Sequence, residues 1–366
     1  MHTIEIEDFK CFGNLNSIHL NRLTVLAGMN SAGKSSFIQA LKLLHSASNS
    51  DGEELNYNGD APDCGFGSVH ELINFESGAN EFSIRLYDDA TDDMVGACFM
   101  AKDDEDDALT LTFSTVEEGR PELIGEEIYY LSAERLGPRT SMAMVDLPYL
   151  HCGPRGEFTA QVLAHKGGFI KVDAKRWLPK TTNGNLDAQT KEWLNFILPN
   201  TAISVREDKT LMRSQVLIDR RNRELHKATN VGFGVSYLLP VITECLVAKS
   251  NRLVIIENPE AHLHPSAQTK VGWMLGFMAN AGLTIIIETH SEHVIEGIQL
   301  FAAENRDFRG SISINFFSEC DDSNAPDIRE ITLNRKDLMF SDFPKGFLDE
   351  SAKTFNDFRL ALRQGE

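Results

Sequence analysis

The segment Gly28-Met29-Asn30-Ser31-Ala32-Gly33-Lys34-Ser35 fits the pattern G-x-x-x-x-G-K-[ST] without a mismatch. Residues 23–27 before it read as a short buried strand. Residues 36–44 after it place apolar side chains at helical spacing. Strand, glycine loop and helix in that order make an anion-binding turn. Gly28 and Gly33 let successive N–H groups point inward, and the helix start adds its unpaired amides and the positive end of its dipole. Asn30, Ser31, Ala32, Gly33, Lys34, Ser35 and Ser36 are therefore the candidate residues for holding a nucleoside triphosphate. Lys34 is expected to reach the β- and γ-phosphates, and the Ser35 hydroxyl to sit on Mg²⁺.

The rest of the chain supplies a sheet to carry such a loop. Strand-like and helical segments alternate as strand 253–256, helix 266–281, strand 283–287, helix 292–303 and strand 311–317, the mark of a buried parallel sheet. Residues 81–87, 94–100 and 109–114 read as antiparallel strands joined by acidic loops. Residues 1–20 alternate in a strand-like way, and 128–132 form a further strand. Residues 202–206 and 214–219 form a hairpin, and 187–198 and 235–249 form helices. The pattern over 140–199 is weak. Nowhere do heptads run, which excludes a long coiled-coil arm.

Composition narrows the class. Between Asp51 and Thr110 about 17 acidic residues face 2 basic ones, most of the net charge of −19. Asp88, Asp89, Asp92, Asp93 and the run 103–107 dominate that stretch. It reads as solvated hairpin loops, or else as a docking face for a basic partner. The six cysteines are scattered, without C-x-x-C, as in reduced cytosolic proteins. No secretory signal and no apolar run of membrane-spanning length stands out, so the expectation is a cytoplasmic chain with no membrane partner. The bias reverses over 206–227, where Arg213, Arg220, Arg221 and Arg223 stand out. Two readings stay open there: a patch that tracks a nucleic-acid backbone, or an exposed hairpin with snorkelling arginines.

A phosphate loop needs a Mg²⁺-binding acid at the end of a neighbouring strand. Leu253-Val254-Ile255-Ile256-Glu257 supplies one, followed by Asn258-Pro259-Glu260-Ala261-His262-Leu263-His264-Pro265. The strand 283–287 ends in Glu288-Thr289-His290-Ser291, which puts His290 at the same sheet edge, where open α/β folds bind ligands. Taken with the loop, these segments resemble the ABC-type ATPases of the RecF, SMC and OLD (overcoming lysogenisation defect) kind. They look most like a branch of stand-alone bacterial ATPases with an uncharacterised C-terminal domain. Residues 230–236, Asn-Val-Gly-Phe-Gly-Val-Ser, resemble the signature segment, Ser132-Ala133-Glu134-Arg135 a Q-loop-like connection, and residues 343–350 the ending of that branch.

The resemblance implies an α/β, ABC-ATPase-like P-loop fold with a mixed central sheet, an antiparallel β lobe and a helical lobe. Four regions are expected: an N-terminal ATPase lobe (1–139), an insertion or helical lobe with the basic hairpin (140–230), a C-terminal ATPase lobe (231–320) and a tail (321–366). The resemblance implies ATP and Mg²⁺ as cofactors and a head-to-tail homo-oligomer of at least two subunits. Gly234 and Ser236 would contact the partner's nucleotide, Glu257 would hold Mg²⁺ with Ser35, and His290 would sense the γ-phosphate. It also places His262 and His264 at the dimer interface, although His-x-His beside Glu260 has the make-up of a zinc site.

One position departs from the pattern. Where the superfamily usually has a second carboxylate to activate water, this chain has Asn258, and an amide cannot take the proton. Turnover is expected to be slow, with Glu260 and His290 as the candidate substitutes. About 45 residues follow Ser318, fewer than the roughly 100 of a usual domain, and Asp321-Asp322 reads as a polar loop without strand context, so no nuclease activity is expected in this chain. Three functions follow from these features: an ATPase controlling a separate effector, by analogy a nuclease of an anti-phage defence system; a nucleotide-gated scaffold with little hydrolysis; and a RecF-like DNA-repair clamp, for which the basic hairpin speaks.

Overall fold

The computed structural model describes residues 1–56, 71–101, 110–166, 169–220, 224–320, 323–334, 336–342 and 344. In chain order the strands are β1 (His2–Glu7), β2 (Asn16–Leu20), β3 (Leu23–Gly28), β4 (Glu54–Asn56), β5 (Glu81–Asp88), β6 (Met94–Ala101), β7 (Thr110–Glu118), β8 (Tyr129–Leu131), β9 (Met142–Ala143), β10 (Thr201–Asp208), β11 (Arg213–Arg220), β12 (Leu225–Lys227), β13 (Leu253–Glu257), β14 (Thr284–Glu288), β15 (Ile312–Cys320) and β16 (Ser323–Thr332). The helices are α1 (Lys34–Ser48), α2 (Thr159–Gln161), α3 (Leu186–Ile197), α4 (Phe233–Val247), α5 (Pro265–Asn280) and α6 (Glu292–Glu304).

The central sheet runs β16-β15-β3-β14-β13-β8. Its strands are parallel except β16, which returns antiparallel to β15. Successive residues of each strand face opposite sides, and both sides are buried, which is why these strands read as unbroken apolar runs. On β13, Val254 and Ile256 join one core with α4, α5 and α6, whereas Leu253 and Ile255 join a second core with α1. On β14, Ile285 and Ile287 face the first core and Ile286 the second. The phosphate-loop helix α1 and the helix α4 therefore lie on opposite faces of the central sheet.

The α1 face is closed by a sheet of order β2-β1-β5-β6-β7-β4, antiparallel throughout. Phe9, Phe82, Phe99 and Phe113 pack ring to ring along its buried side. A third sheet of β10, β11 and β12, with β9 pairing β11, packs with α2 and α3. Helices α5 and α6 cross almost in contact: a Cβ on Gly272 would lie 2.0 Å from the Val294 carbonyl oxygen, and one on Gly297 2.0 Å from that of Thr269. That close crossing fixes the start of α6, next to His290.

The layout is a mixed α/β fold with an antiparallel β lobe and a helical lobe, and no coiled coil occurs among the described residues. Among them, too, no helix is long and apolar enough to cross a membrane. One expectation is corrected. Residues 323–332, read as tail, form β16 at the edge of the central sheet, antiparallel to β15. The sequence hides this because β16 carries Pro326, which only an edge strand tolerates, and splits its apolar residues between faces: Ile328 packs against the α1-side core and Ile331 joins the other. The acidic run 103–107, Asp321-Asp322 themselves, and the ending 343–350 apart from Pro344 lie outside the described residues.

Candidate functional site

The C-terminal ends of β3, β14 and β13 meet at one edge of the central sheet. The chain leaves β3 through Gly28, at φ +121°, where a Cβ would fall 2.0 Å from the Phe317 carbonyl oxygen. Only glycine fits that approach. Ser31 and Gly33 also have positive φ, 62° and 101°, and α1 begins at Lys34. Asn30, Ser31 and Ser35 are exposed, while Ala32 and Lys34 are buried. The Lys34 ammonium turns inward, donating to the carbonyls of Met29 (2.6 Å) and Gly28 (3.2 Å), with a Glu288 carboxylate oxygen at 3.9 Å.

Two carboxylates close the far side. Glu257 and Glu288 are register partners on adjacent parallel strands. Glu257 is held from the β8 side: it accepts from the Tyr130 hydroxyl (2.9 Å) and the Ala133 N–H (2.9 Å). Arg135 braces the following turn, donating to the carbonyls of Ser132 (2.9 Å), Glu257 (2.6 Å) and Asn258 (2.5 Å). Glu288 is 8% exposed, and its Oε2 is buried without a hydrogen-bond partner. Burial, and then the charge of Glu257, push the Glu288 carboxyl up to about 7 against the opposing pull of Lys34 and a Ser35 hydrogen bond.

Asn258 sits at φ 44° and donates its N–H to the Glu288 carbonyl (2.8 Å), while its side-chain Oδ1 is buried and unpaired. The His290 N–H donates to Glu260 Oε1 (3.0 Å), and Glu260 Oε2 is also buried without a partner. Burial and the nearby Lys34 charge hold the His290 imidazole below its ordinary value, against the pull of Glu260. Ser291 then caps α6 through the Val294 N–H (3.2 Å).

Lys34, Ser35, Glu257, Asn258, Glu260 and His290 thus gather at one sheet edge. The residues suit a triphosphate with a divalent cation: a left-handed turn with a helix start, an ammonium, an exposed hydroxyl, and carboxylates with unpaired buried oxygens. The sequence places Arg135 only within a Q-loop-like connection and gives Glu288 and Tyr130 no role, although both strands ending in Ile-Ile-Glu is a legible sign of paired carboxylates.

Gly234 and Ser236 lie beside the turn that follows β13: a Cβ on Gly234 would fall 3.1 Å from the His262 carbonyl oxygen, and the Tyr237 ring lies 5.6 Å from Arg135. They lie at the start of α4, across the central sheet from α1, where Phe233, Tyr237 and His262 pack ring to ring. His262 and His264 take separate roles, since His264 accepts from the Ser266 N–H to cap α5 (3.3 Å). Among the described residues no three His, Cys, Asp or Glu side chains could hold a metal by themselves, against a zinc site there. In the basic hairpin, Arg213 is tied to Ser141 through its hydroxyl (2.7 Å) and carbonyl (3.1 Å). Arg220 ends β11 opposite Thr201, and Arg221 and Arg223 lie outside the described residues.

Residues 1–113 match a family described as "AAA ATPase domain", and residues 155–296 one described as "AAA domain, putative AbiEii toxin, Type IV TA system". The Old nuclease of Escherichia phage P2 is 31% identical over 121 residues, 31% of this chain and 19% of that protein. The match spans about a fifth of that relative's length. An Smc head domain with an extended coiled coil, bound to the C-terminal domain of ScpA derived from Pyrococcus furiosus, is 11% identical. The likeness covers 98% of this chain and 100% of that one with a TM-score of 0.55. An SmcHead bound to the C-winged helix domain of ScpA is 12% identical, covering 91% and 98% with a TM-score of 0.54. At such identities the shared property is the fold.

Proposed function

We propose that this chain is an AAA/ABC-type ATPase of the SMC and OLD kind and that it holds ATP and Mg²⁺ at the edge formed by β3, β14 and β13, in a site completed by a second copy of the chain. Lys34 leaves the Gly28 and Met29 carbonyls for the β- and γ-phosphates, and Ser35 and Glu257 hold Mg²⁺. His290, neutral at physiological pH because burial and Lys34 lower its affinity for protons, contacts the γ-phosphate. Gly234 and Ser236 approach the same phosphate from the partner. The observation that carries this reading is the separation of α1 and α4 by the central sheet. With α1 and α4 on opposite faces of the sheet, and with the resemblance setting the signature-like segment against a second chain's loop, we read the nucleotide as held between two chains.

Asn258 makes the assembly slow to hydrolyse. A carboxylate there would take a proton from the attacking water; the amide only orients it. General-base help contributes about 10²–10⁴-fold, so most of that is absent unless Glu260 or His290 supplies it. The ATP-bound dimer would then last long enough to control a separate effector. The match to the Old nuclease supports an effector that acts on nucleic acid, and the analogy drawn from the sequence resemblance sets it in anti-phage defence.

Sedimentation of the full chain tests the core of the reading. A dimer in ATP with Mg²⁺, and a monomer without nucleotide, is the expected result. A monomer in both, at nucleotide concentrations that saturate the protein, would refute the two-chain site.

A further inference from the structure

With Asn258 in the position after Glu257, the site lacks the second acid that usually follows the strand. The structure offers another from the neighbouring strand. Glu288 is the register partner of Glu257. It touches Ser35, the hydroxyl at the start of α1, and has Lys34 at 3.9 Å. Its Oε2 is buried with no hydrogen-bond partner, in a residue only 8% exposed. Glu257, in contrast, already has a protein donor on each oxygen, from Tyr130 and Ala133.

The geometry points to Glu288 as a carboxylate of the divalent-cation site, one that Lys34 neutralises until nucleotide arrives and that the cation neutralises afterwards. This rests on the nucleotide-site reading above and deepens it. Lys34 cannot serve both Glu288 and the phosphates from one position. When it leaves, a buried carboxylate would be stranded beside Glu257, and a buried unpaired charge is strongly disfavoured. A cation entering on the phosphates restores the balance at the same place, because Ser35 borders both Glu288 and the phosphate loop. Mg²⁺ is commonly bound by one or two carboxylates together with substrate phosphates and water. Here the phosphates and water must supply the remaining ligands, since no three protein side chains of ligating type converge among the described residues.

The consequence is a carboxylate whose loss affects the cation and not the nucleotide itself. Binding of the non-hydrolysable analogue AMP-PNP to the full chain is measured by calorimetry in Mg²⁺ and in EDTA. Direct titration of Mn²⁺ onto the protein–AMP-PNP complex, followed by electron paramagnetic resonance, reads the cation alone. Glu288→Gln is expected to bind AMP-PNP in EDTA at least as well as the natural chain, because Lys34 is released, and to lose about 10–100-fold in cation affinity. Glu288→Asp keeps the charge and is expected to lose less, which maintains the test if the amide variant folds poorly. A Glu288→Gln protein with unchanged Mn²⁺ affinity would overturn the assignment while leaving the nucleotide site standing. Failure of the natural chain to bind AMP-PNP at all would instead bring down the nucleotide-site reading, and the assignment with it.

Discussion

Two buried glutamates in this molecule face opposite fates. Glu288, at the end of β14, is surrounded by Lys34, Ser35, Glu257 and Glu260, and its carboxyl is pushed up to about 7. Glu244, midway along α4, is wholly buried in the helical core and pushed up to about 8 by desolvation. Its Oε2 accepts from the Cys152 N–H at 2.6 Å, and its Oε1 is buried without a partner. Both carry a raised affinity for protons, yet only one stands at a sheet edge among a cation, a hydroxyl and further carboxylates. A perturbed carboxyl marks a site only when its neighbours can exchange partners with a ligand. Glu244 has nothing to exchange and is a structural group kept neutral.

The largest effect that would sharpen this contrast is on turnover. Asn258→Glu restores the missing acid beside Glu257 and is expected to raise ATP hydrolysis toward the roughly 10²–10⁴-fold range of general-base assistance. Unchanged phosphate release would mean that Glu260 or His290 already fills the role. Next in size is Lys34→Ala. Charge-assisted contacts contribute about 1.5–3 kcal/mol each, so nucleotide affinity measured by calorimetry should fall on the order of 100-fold.

Glu244 should show itself in stability and not in binding. Its ordinary carboxyl value near 4.5 rises to about 8 in the fold, so between those values the folded chain binds more protons than the unfolded one. Stability therefore falls as pH rises from about 4.5 to about 8 and levels off above. Relative to Glu244→Gln, the natural chain should lose on the order of 5 kcal/mol across that window in denaturant titrations, with nucleotide affinity the same in both. A flat difference would return Glu244 to an ordinary ionised state. The smallest effect is expected from Tyr130→Phe, which removes one hydrogen bond to Glu257. A loss of about 1 kcal/mol, several-fold in Mg²⁺-dependent nucleotide affinity, should appear without a change in EDTA.

The elements nearest the site were the most legible in the sequence. The phosphate loop, Leu253–Glu257 and Thr284–Glu288 announce themselves because strands buried on both faces read as unbroken apolar runs. The hairpin strand Glu81–Asp88 shows the alternation of a sheet with one buried side. Ser323–Thr332 did not show, because an edge strand needs no continuous apolar face and admits Pro326. Thr140 to Pro199 gave little, since its order comes from long-range contacts such as the bonds of Arg176 to the carbonyls of Cys245 and Ala248. In the site, the motif and the strand ends put Lys34, Glu257 and His290 at one sheet edge, and the resemblance alone implies what Glu257 and His290 do there. Glu288 needed the parallel register of two strands, and the inward turn of Lys34 needed coordinates.

The two-chain site is most directly tested by mixing two defective proteins. Lys34→Ala spoils the loop and leaves the start of α4 intact; Ser236→Arg blocks the start of α4 and leaves the loop intact. Neither alone should form an ATP-dependent dimer in sedimentation. An equimolar mixture should, because one composite site then joins a sound loop to a sound α4. A Ser236→Arg protein that dimerises with ATP by itself, or a mixture that stays monomeric while the natural chain pairs, would contradict a nucleotide held between two chains.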